Sequence, residues 1–199
     1  MQLRLETDSG TFSPGRLDPG TRVLLDTVPA PPPSGELLDL GCGYGPVALA
    51  MAARSPGATV WAVDTNGRAL ELCRKNAARA GLRNVRCVSP AEAEQARPDT
   101  TYSVIWSNPP IRIGKAALHE LLTRWLGRLN PGGTAYLVVH RNLGADSLHR
   151  WLTGEGWAVE RVTSRAGYRV LRLQRPDQRP GQPQAGRGEA AGRPEVIRP

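Results

Sequence analysis

No apolar run in this chain approaches the ~20 residues needed to cross a bilayer. Met1 to Gly20 is polar and broken by glycine and proline, unlike a secretory leader. The expectation is a soluble, cytoplasmic protein. Cysteine is scarce: Cys42, Cys73 and Cys87 are odd in number and lack CxxC spacing. That argues against a disulfide framework or a cysteine-built metal centre and leaves reduced, buried thiols. Lysine is nearly missing, with Lys75 and Lys115 the only two, so arginine makes up the rest of the 26 basic residues. Against 18 acids this gives a formal charge of +8 and a pI near 10.2. The balance favours a polyanionic partner, RNA first, although a bias in base composition also replaces lysine by arginine. Phenylalanine occurs once, at Phe12 in a polar loop, where it either plugs the core or caps a ligand.

Two common phosphate-binding signatures are also absent. No Lys-Ser or Lys-Thr follows the glycines as a GxxxxGK[ST] loop requires, and GxGxxG would need glycine where Pro46 stands. What is present is Glu36-Leu37-Leu38-Asp39-Leu40-Gly41-Cys42-Gly43-Tyr44-Gly45, an apolar run with one acid that passes into glycines at alternate positions. Helix formers follow at once from Val47 to Ala53, and Pro46 suits a first helical turn. Strand, glycine turn and helix in that order favour a nucleoside-type ligand close to bare main chain.

The rest of the chain alternates in the same way. A helix is expected from Asp18 to Val28, with Asp18 as N-cap and Pro19 at its first position. Ala58–Val63, Asn84–Val88, Tyr102–Trp106 and Thr134–Val139 read as buried strands, with helices at Arg68–Ala80, Ala91–Ala96, Lys115–Leu129 and Asp146–Leu152 between or after them. Trp157–Val162 and Tyr168–Leu173 are two late strands joined without a helix, hence antiparallel to each other. Leu3 and Leu5 alternate with polar residues as a short leading strand would. The pattern predicts an α/β fold: a doubly wound, Rossmann-like, seven-stranded and mostly parallel sheet, with an antiparallel last strand and helices on both faces. Residues 1–30 are expected as a capping segment and 31–174 as the domain. From Arg175 the Pro/Gly/Arg-rich remainder to Pro199 is expected to be a disordered tail.

Ligands of such sheets sit beyond the carboxyl ends of the strands. The glycine turn, Asp64, Ser89 and Asn108 all fall there. An acid at Asp64, one βαβ step after the glycines, can accept both hydrogens of a ribose diol. At Asn108-Pro109-Pro110 two prolines remove two N–H donors and leave their carbonyls free to accept. The Asn108 amide oxygen and the Pro109 carbonyl can then take the two hydrogens of a planar –NH2 group. That pulls its lone pair out of conjugation toward an electrophile, and no cysteine nucleophile or histidine base is required. Taken alone, the same stretch is also an ordinary strand stop. His119 reads as helix-face packing, His140 as either packing or a rim group, and the five tryptophans as packing rather than base-stacking platforms.

DLGCGYG, AVD and SNPP in this order resemble the class I S-adenosylmethionine-dependent methyltransferases. FSPGRLDPGTRVLLDTV, NPPIRIGKAALHE, LNPGGTAYLVVHR and GYRVLR narrow the resemblance to the methyltransferase small domain family, which includes small-subunit ribosomal RNA guanine-N2 methyltransferases. The resemblance covers Phe12 to Leu173. It implies that Gly41, Gly43 and Gly45 flank the methionine part of S-adenosyl-L-methionine, that Asp64 holds the ribose, and that Asn108 and Pro109 hold the target amino group. The full set it implies at the cofactor is Asp39, Gly41, Cys42, Gly43, Gly45, Asp64, Thr65, Ser89 and Asn108; at the transfer it is Asn108, Pro109 and Pro110, with no metal ion. Two positions depart from the family pattern. Ser89-Pro90 stands where members commonly carry an acid near the adenine, with Glu92 the nearest acid, and Ile111 replaces an aromatic residue that stacks on a target base. The larger ribosomal enzymes carry a second, amino-terminal domain. Here RNA is expected to meet the rim, Arg112, Lys115 and Arg141, with the arginine-bearing tail as a further candidate. The alternatives are a protein-glutamine or small-molecule N-methyltransferase, and a non-catalytic RNA- or nucleoside-binding module.

Overall fold

A computed structural model describes residues 5–7 and 17–175. Phe12, Leu3 and the tail beyond Arg175 lie outside the described residues. Leu5 is irregular rather than a strand, and it packs against the core.

The elements follow in the order α1 (Pro19–Thr27), β1 (Ser34–Leu40), α2 (Pro46–Arg54), β2 (Gly57–Val63), α3 (Gly67–Arg79), β3 (Val85–Val88), α4 (Pro90–Ala96), β4 (Tyr102–Ser107), α5 (Lys115–Leu126), β5 (Leu129–His140), α6 (Ala145–Gly154), β6 (Ala158–Arg165) and β7 (Tyr168–Gln174). The seven strands form one sheet in the order β3-β2-β1-β4-β5-β7-β6. Strands β1 to β5 are mutually parallel where they pair, and β7 runs antiparallel to both β5 and β6. The doubly wound expectation holds, including the reversal at the end. Ala166 and Gly167, both at positive φ, close the β6–β7 hairpin as a two-residue turn of matching twist does.

Alternation along each strand divides the core. Leu37, Val60, Val104 and Val138 face a cluster shared with α1, α2 and α3. Leu38, Leu40, Ile105 and Leu137 face a second cluster with α4, α5 and α6. Residues one apart on a strand thus serve opposite layers, and β1 to β5 read as continuous apolar runs because both faces are covered.

One boundary differs by several residues. The helix expected to reach Leu129 ends at Leu126, and Asn130-Pro131-Gly132-Gly133, expected as a loop, lies inside β5. Leu129 is buried and pairs with Tyr102, so the strand starts there and absorbs the extra residues as a register shift before Thr134 pairs with Val104.

Candidate active site

The register sets the rim. Leu40 is level with Val63 and with Ser107, and Val63 is level with Val88. The next residue in each case is Gly41, Asp64, Asn108 or Ser89, so the structure places all four on one line across β3-β2-β1-β4. The order of winding reverses between β1 and β4, which opens the crevice there. The turn after β1 is pinned from below: the N–H groups of Gly41 and Cys42 donate to the Val63 carbonyl at 2.8 and 3.1 Å.

The three glycines of that turn do different things. All have positive φ, +77° at Gly41, +54° at Gly43 and +97° at Gly45. A Cβ on Gly45 would stand 2.5 Å from Cys73 Sγ and 2.7 Å from Leu49 Cδ1. Gly45 is therefore required by packing of the turn on α2 and α3. A Cβ on Gly43 would meet nothing within 4 Å, and one on Gly41 would only graze Pro110 Cδ and the Asn108 carbonyl, at 3.8 and 3.9 Å. The main chain at Gly41 and Gly43 is left bare toward the crevice, directly opposite the Asn-Pro-Pro segment. That is the shape a ligand pressed against backbone requires.

The acids divide in the same way. Asp39 is 1% exposed and turned inward, its Oδ2 accepting from the Ala48 N–H in the first turn of α2 at 2.8 Å. Burial, opposed by that hydrogen bond and reinforced by the charge of Asp64, pushes its carboxyl up to about 8. Its position ties β1 to α2 beneath the glycine turn. Asp64 is half-exposed at the rim. Its Oδ2 accepts from the Gly43 N–H at 2.8 Å and its Oδ1 from the Asn66 N–H at 2.9 Å. Each oxygen keeps a lone pair, so the carboxylate can shape the turn and still accept from a diol. Thr65 is exposed beside it.

Ser89 is occupied by a capping box. Its Oγ accepts from the Glu92 N–H at 3.2 Å, and its own N–H donates to Glu92 Oε2 at 2.7 Å. Glu92, the nearest acid to the missing family acid, is thereby turned back on the chain. The Ser89 hydroxyl hydrogen is what remains to meet a base. Cys42 is buried with Cys73 and Cys87, all three free, and Cys42 offers the crevice main chain rather than thiol.

The Asn-Pro-Pro segment leaves β4 after Ser107, whose hydroxyl donates to the Leu40 carbonyl at 2.6 Å and locks β4 to β1. Pro109 is buried and Pro110 exposed. The expectation of free proline carbonyls needs correction: Pro109 accepts from the Ile111 N–H at 2.8 Å and Pro110 from the Ile113 N–H at 3.1 Å, because the chain folds into a 3₁₀ turn at Ile111–Ile113. One lone pair of the Pro109 carbonyl remains. Asn108 Nδ2 donates to Asp18 Oδ2 at 2.8 Å and lies 3.1 Å from Thr21 Oγ1, and among the described residues Oδ1 is the free end of the amide. Asp18 and Thr21, on the cap and first turn of α1, were not foreseen as site residues. Asp18 reads locally as an N-cap, and nothing local links it to a residue ninety positions on.

Around this centre, His140 meets Tyr168 edge to face at 4.9 Å, and His119 stacks on Trp151 at 3.8 Å. Trp61, Trp106 and Trp125 are core, while Trp151 and Trp157 are half-buried packing. Arg112, Lys115 and Arg141 are exposed beyond the ends of β4 and β5. Among the described residues no cluster of His, Cys, Asp or Glu is arranged to hold a metal ion, and no helix is long and apolar enough to cross a membrane.

A doubly wound sheet with this strand order, a bare glycine turn and a polar stop at the switch point has the fold of the Rossmann-like methyltransferases. The T. thermophilus 16S rRNA N2 G methyltransferase, solved in complex with AdoMet and guanosine, superposes with a TM-score of 0.69 at 26% identity, over 84% of this chain and 46% of that one. A methyltransferase from Pyrococcus furiosus shares the fold, with a TM-score of 0.66 at 22% identity over 86% of this chain and 88% of that one. The methyltransferase small domain family model matches residues 2–172, and the chain belongs to that family. YbxB of Bacillus subtilis (strain 168), a protein of uncharacterised function, is 32% identical over 169 residues, 85% of this chain and 84% of that protein. The ribosomal RNA small subunit methyltransferase C of Shewanella amazonensis is 33% identical over 138 residues, 67% of this chain; the match spans 39% of that enzyme's length.

Proposed function

We propose that this chain transfers a methyl group from S-adenosylmethionine to an exocyclic amino group, guanine N2 of ribosomal RNA. The observation that carries this reading is the Asn108 amide, held with its NH2 against Asp18 and Thr21 and its Oδ1 free, beside the bare main chain of Gly41. The rim fits the cofactor. Gly41 and Gly43 leave the crevice wall without side chains, and Asp64 has lone pairs left for the ribose. Bound there, S-adenosylmethionine supplies an electrophilic methyl on a sulfonium. Asn108 Oδ1 and the remaining lone pair of Pro109 accept the two hydrogens of the target –NH2. Held by acceptors on both hydrogens, the nitrogen turns its lone pair out of the ring system and toward the crevice. Ser107 keeps β4 level with β1, which fixes the distance between acceptors and glycine turn. The exposed Arg112, Lys115 and Arg141 provide phosphate contacts around the target. A base taken from folded RNA is flipped out at a cost of a few kcal/mol, which such contacts offset.

The test is transfer of labelled methyl into undermethylated small ribosomal subunits, total protein and small metabolites. Label in small-subunit RNA, mapped to guanine N2, supports the reading. Label in protein moves it to a glutamine amide, the reading that Ile111 favours, since an aliphatic, half-buried residue there offers no stacking face. Asn108→Ala is expected to lose transfer by ~100-fold or more while retaining RNA. Normal transfer by that variant would show that the amide is not the acceptor.

A further inference from the structure

We infer that Asp18, seconded by Thr21, is a positioning residue that fixes which end of the Asn108 amide faces the substrate. The inference rests on the reading of Asn108 as acceptor. An asparagine amide has two nearly isosteric ends, and only the oxygen can accept from a target –NH2. Among the described residues no backbone group hydrogen-bonds the Asn108 amide to select between them. The selection comes from α1: Asp18 Oδ2 stands 2.8 Å from Asn108 Nδ2, with Thr21 Oγ1 at 3.1 Å. A carboxylate accepts only, so an amide oxygen turned toward Asp18 Oδ2 meets lone pairs and no hydrogen, while the Thr21 hydroxyl can donate or accept and so adds a partner for the NH2 without choosing the end. The NH2 must point to α1, and Oδ1 to the crevice.

The surroundings strengthen the selection. Asp18 is 7% exposed and Thr21 5%, so water does not compete freely for the contact. The Tyr168 ring lies over Gly20, where a Cβ would come 2.7 Å from Cε1 and 3.0 Å from Asp18 Oδ2. Gly20 thus lets the ring close over the carboxylate. The same Oδ2 also accepts from the Thr21 N–H at 2.8 Å as the helix cap. Capping alone does not need an aspartate, because serine caps about as well. A serine at 18 is one atom shorter in reach, and its hydroxyl can donate as well as accept. The second use of Oδ2, toward Asn108, is what calls for an sp2 acceptor oxygen at that reach, which aspartate supplies and a serine hydroxyl does not.

The experiment compares Asp18→Ser, Asp18→Asn, Thr21→Val and Asn108→Ala in the full chain, in the fraction that accepts label from the wild type. Asp18→Ser keeps the cap and loses the contact with Asn108, and kcat is expected to fall roughly ten- to a hundredfold, as losing a charge-assisted hydrogen bond allows. The Kd for S-adenosylmethionine is expected to stay within about twofold, since the hydrogen bonds of Asp18 and Thr21 run to Asn108 and within α1 rather than to the glycine turn. Asp18→Asn retains an acceptor oxygen and is expected to recover most of kcat; Thr21→Val is expected to lose a few-fold. A readout independent of transfer is the side-chain NH2 signal of Asn108, assigned by its loss in Asn108→Ala. It is expected downfield and slow to exchange in the wild type and in Asp18→Asn, and at the free-amide position in Asp18→Ser. Loss of transfer in Asn108→Ala with an unaltered kcat and NH2 signal in Asp18→Ser overturns this inference alone. Normal transfer in Asn108→Ala overturns the reading beneath it. Should Asp18→Ser fold poorly, Thr21→Val decides: a fall in kcat tracking a fall in stability and cofactor affinity assigns the pair a merely structural role and overturns the inference.

Discussion

Replacing Asp39 by asparagine is expected to abolish much of the decline in stability with rising pH. The folded carboxyl sits at about 8, against an ordinary unfolded value of ~3.9. Two effects oppose each other. The first turn of α2 and the Ala48 N–H favour the charged form by at most ~2 kcal/mol. Removing water from a group that is 1% exposed disfavours it by more. For an acid whose folded pKa is raised, the folded state holds a proton that the unfolded state releases. The stabilising contribution is therefore complete below the unfolded value, declines as pH rises, and is gone once pH passes the folded value near 8. Between pH 5 and pH 7 the slope of ~1.4 kcal/mol per unit gives a loss of ~2.7 kcal/mol from this group. Asp39→Asn resembles the protonated acid, keeps an oxygen for Ala48, and cannot ionise. Whatever it costs at one pH it costs at all, so the difference between the two pH curves isolates the carboxyl. The assay is urea unfolding followed by tryptophan fluorescence at pH 5, 6, 7 and 8. Parallel curves for the two proteins, or a wild type that gains on the variant as pH rises, would refute the argument that burial outweighs the helix terminus.

Gly45→Ala is expected to cost about 2–4 kcal/mol of stability, the positive φ adding to overpacking against Cys73 and Leu49. Gly43→Ala is expected to cost only ~1 kcal/mol yet to weaken S-adenosylmethionine about tenfold or more, by putting a methyl where the crevice is bare; calorimetric titration beside urea unfolding separates the two. Changing Arg112, Lys115 and Arg141 together to alanine is expected to reduce the slope of log affinity for RNA against log salt by about 2, as the loss of three phosphate contacts requires, with cofactor binding unchanged. Asn108→Asp sets a second carboxylate against Asp18, and adding Asp18→Asn restores a hydrogen bond in the opposite sense. A double-mutant cycle on thermal unfolding is expected to give a favourable coupling of roughly 1–3 kcal/mol.

Much of the fold was legible because its signals are local. Runs such as Ala58–Val63 alternate with amphipathic stretches such as Arg68–Ala80, and glycine or proline marks most joints. The Leu129–Gly133 stretch misled because its chemistry is that of a turn, while the pairing of Leu129 with Tyr102 is decided by a strand twenty-seven residues earlier. The alignment of Gly41, Asp64, Ser89 and Asn108 followed from parallel strands that end level at their carboxyl ends. What each side chain does at its strand end was less legible. Asp39 lies on the same strand face as Leu37, and Leu38 and Leu40 on the other. Its turn toward α2 is thus a matter of parity along β1, whereas the capping of Ser89 depends on Glu92 bending back.

The largest gap lies at Asn108, and its cause is physical. Sequence spacing places the residue at a strand end, but an amide's chemistry depends on which of two equal-sized ends is turned outward. That choice is made by groups in contact, here a cap residue ninety positions earlier. An N-cap requires an acceptor oxygen and no more. Asp18 is a carboxylate, buried, with the second demand on its Oδ2 coming from the site itself. Helix α1 is thus more than a cover for the α1–α3 layer of the core. In the proposed reading it carries the acceptor that turns a strand stop into an acceptor pair, and the wall of the crevice opposite is Gly41, where the absence of a side chain would leave room for the donor of the methyl group.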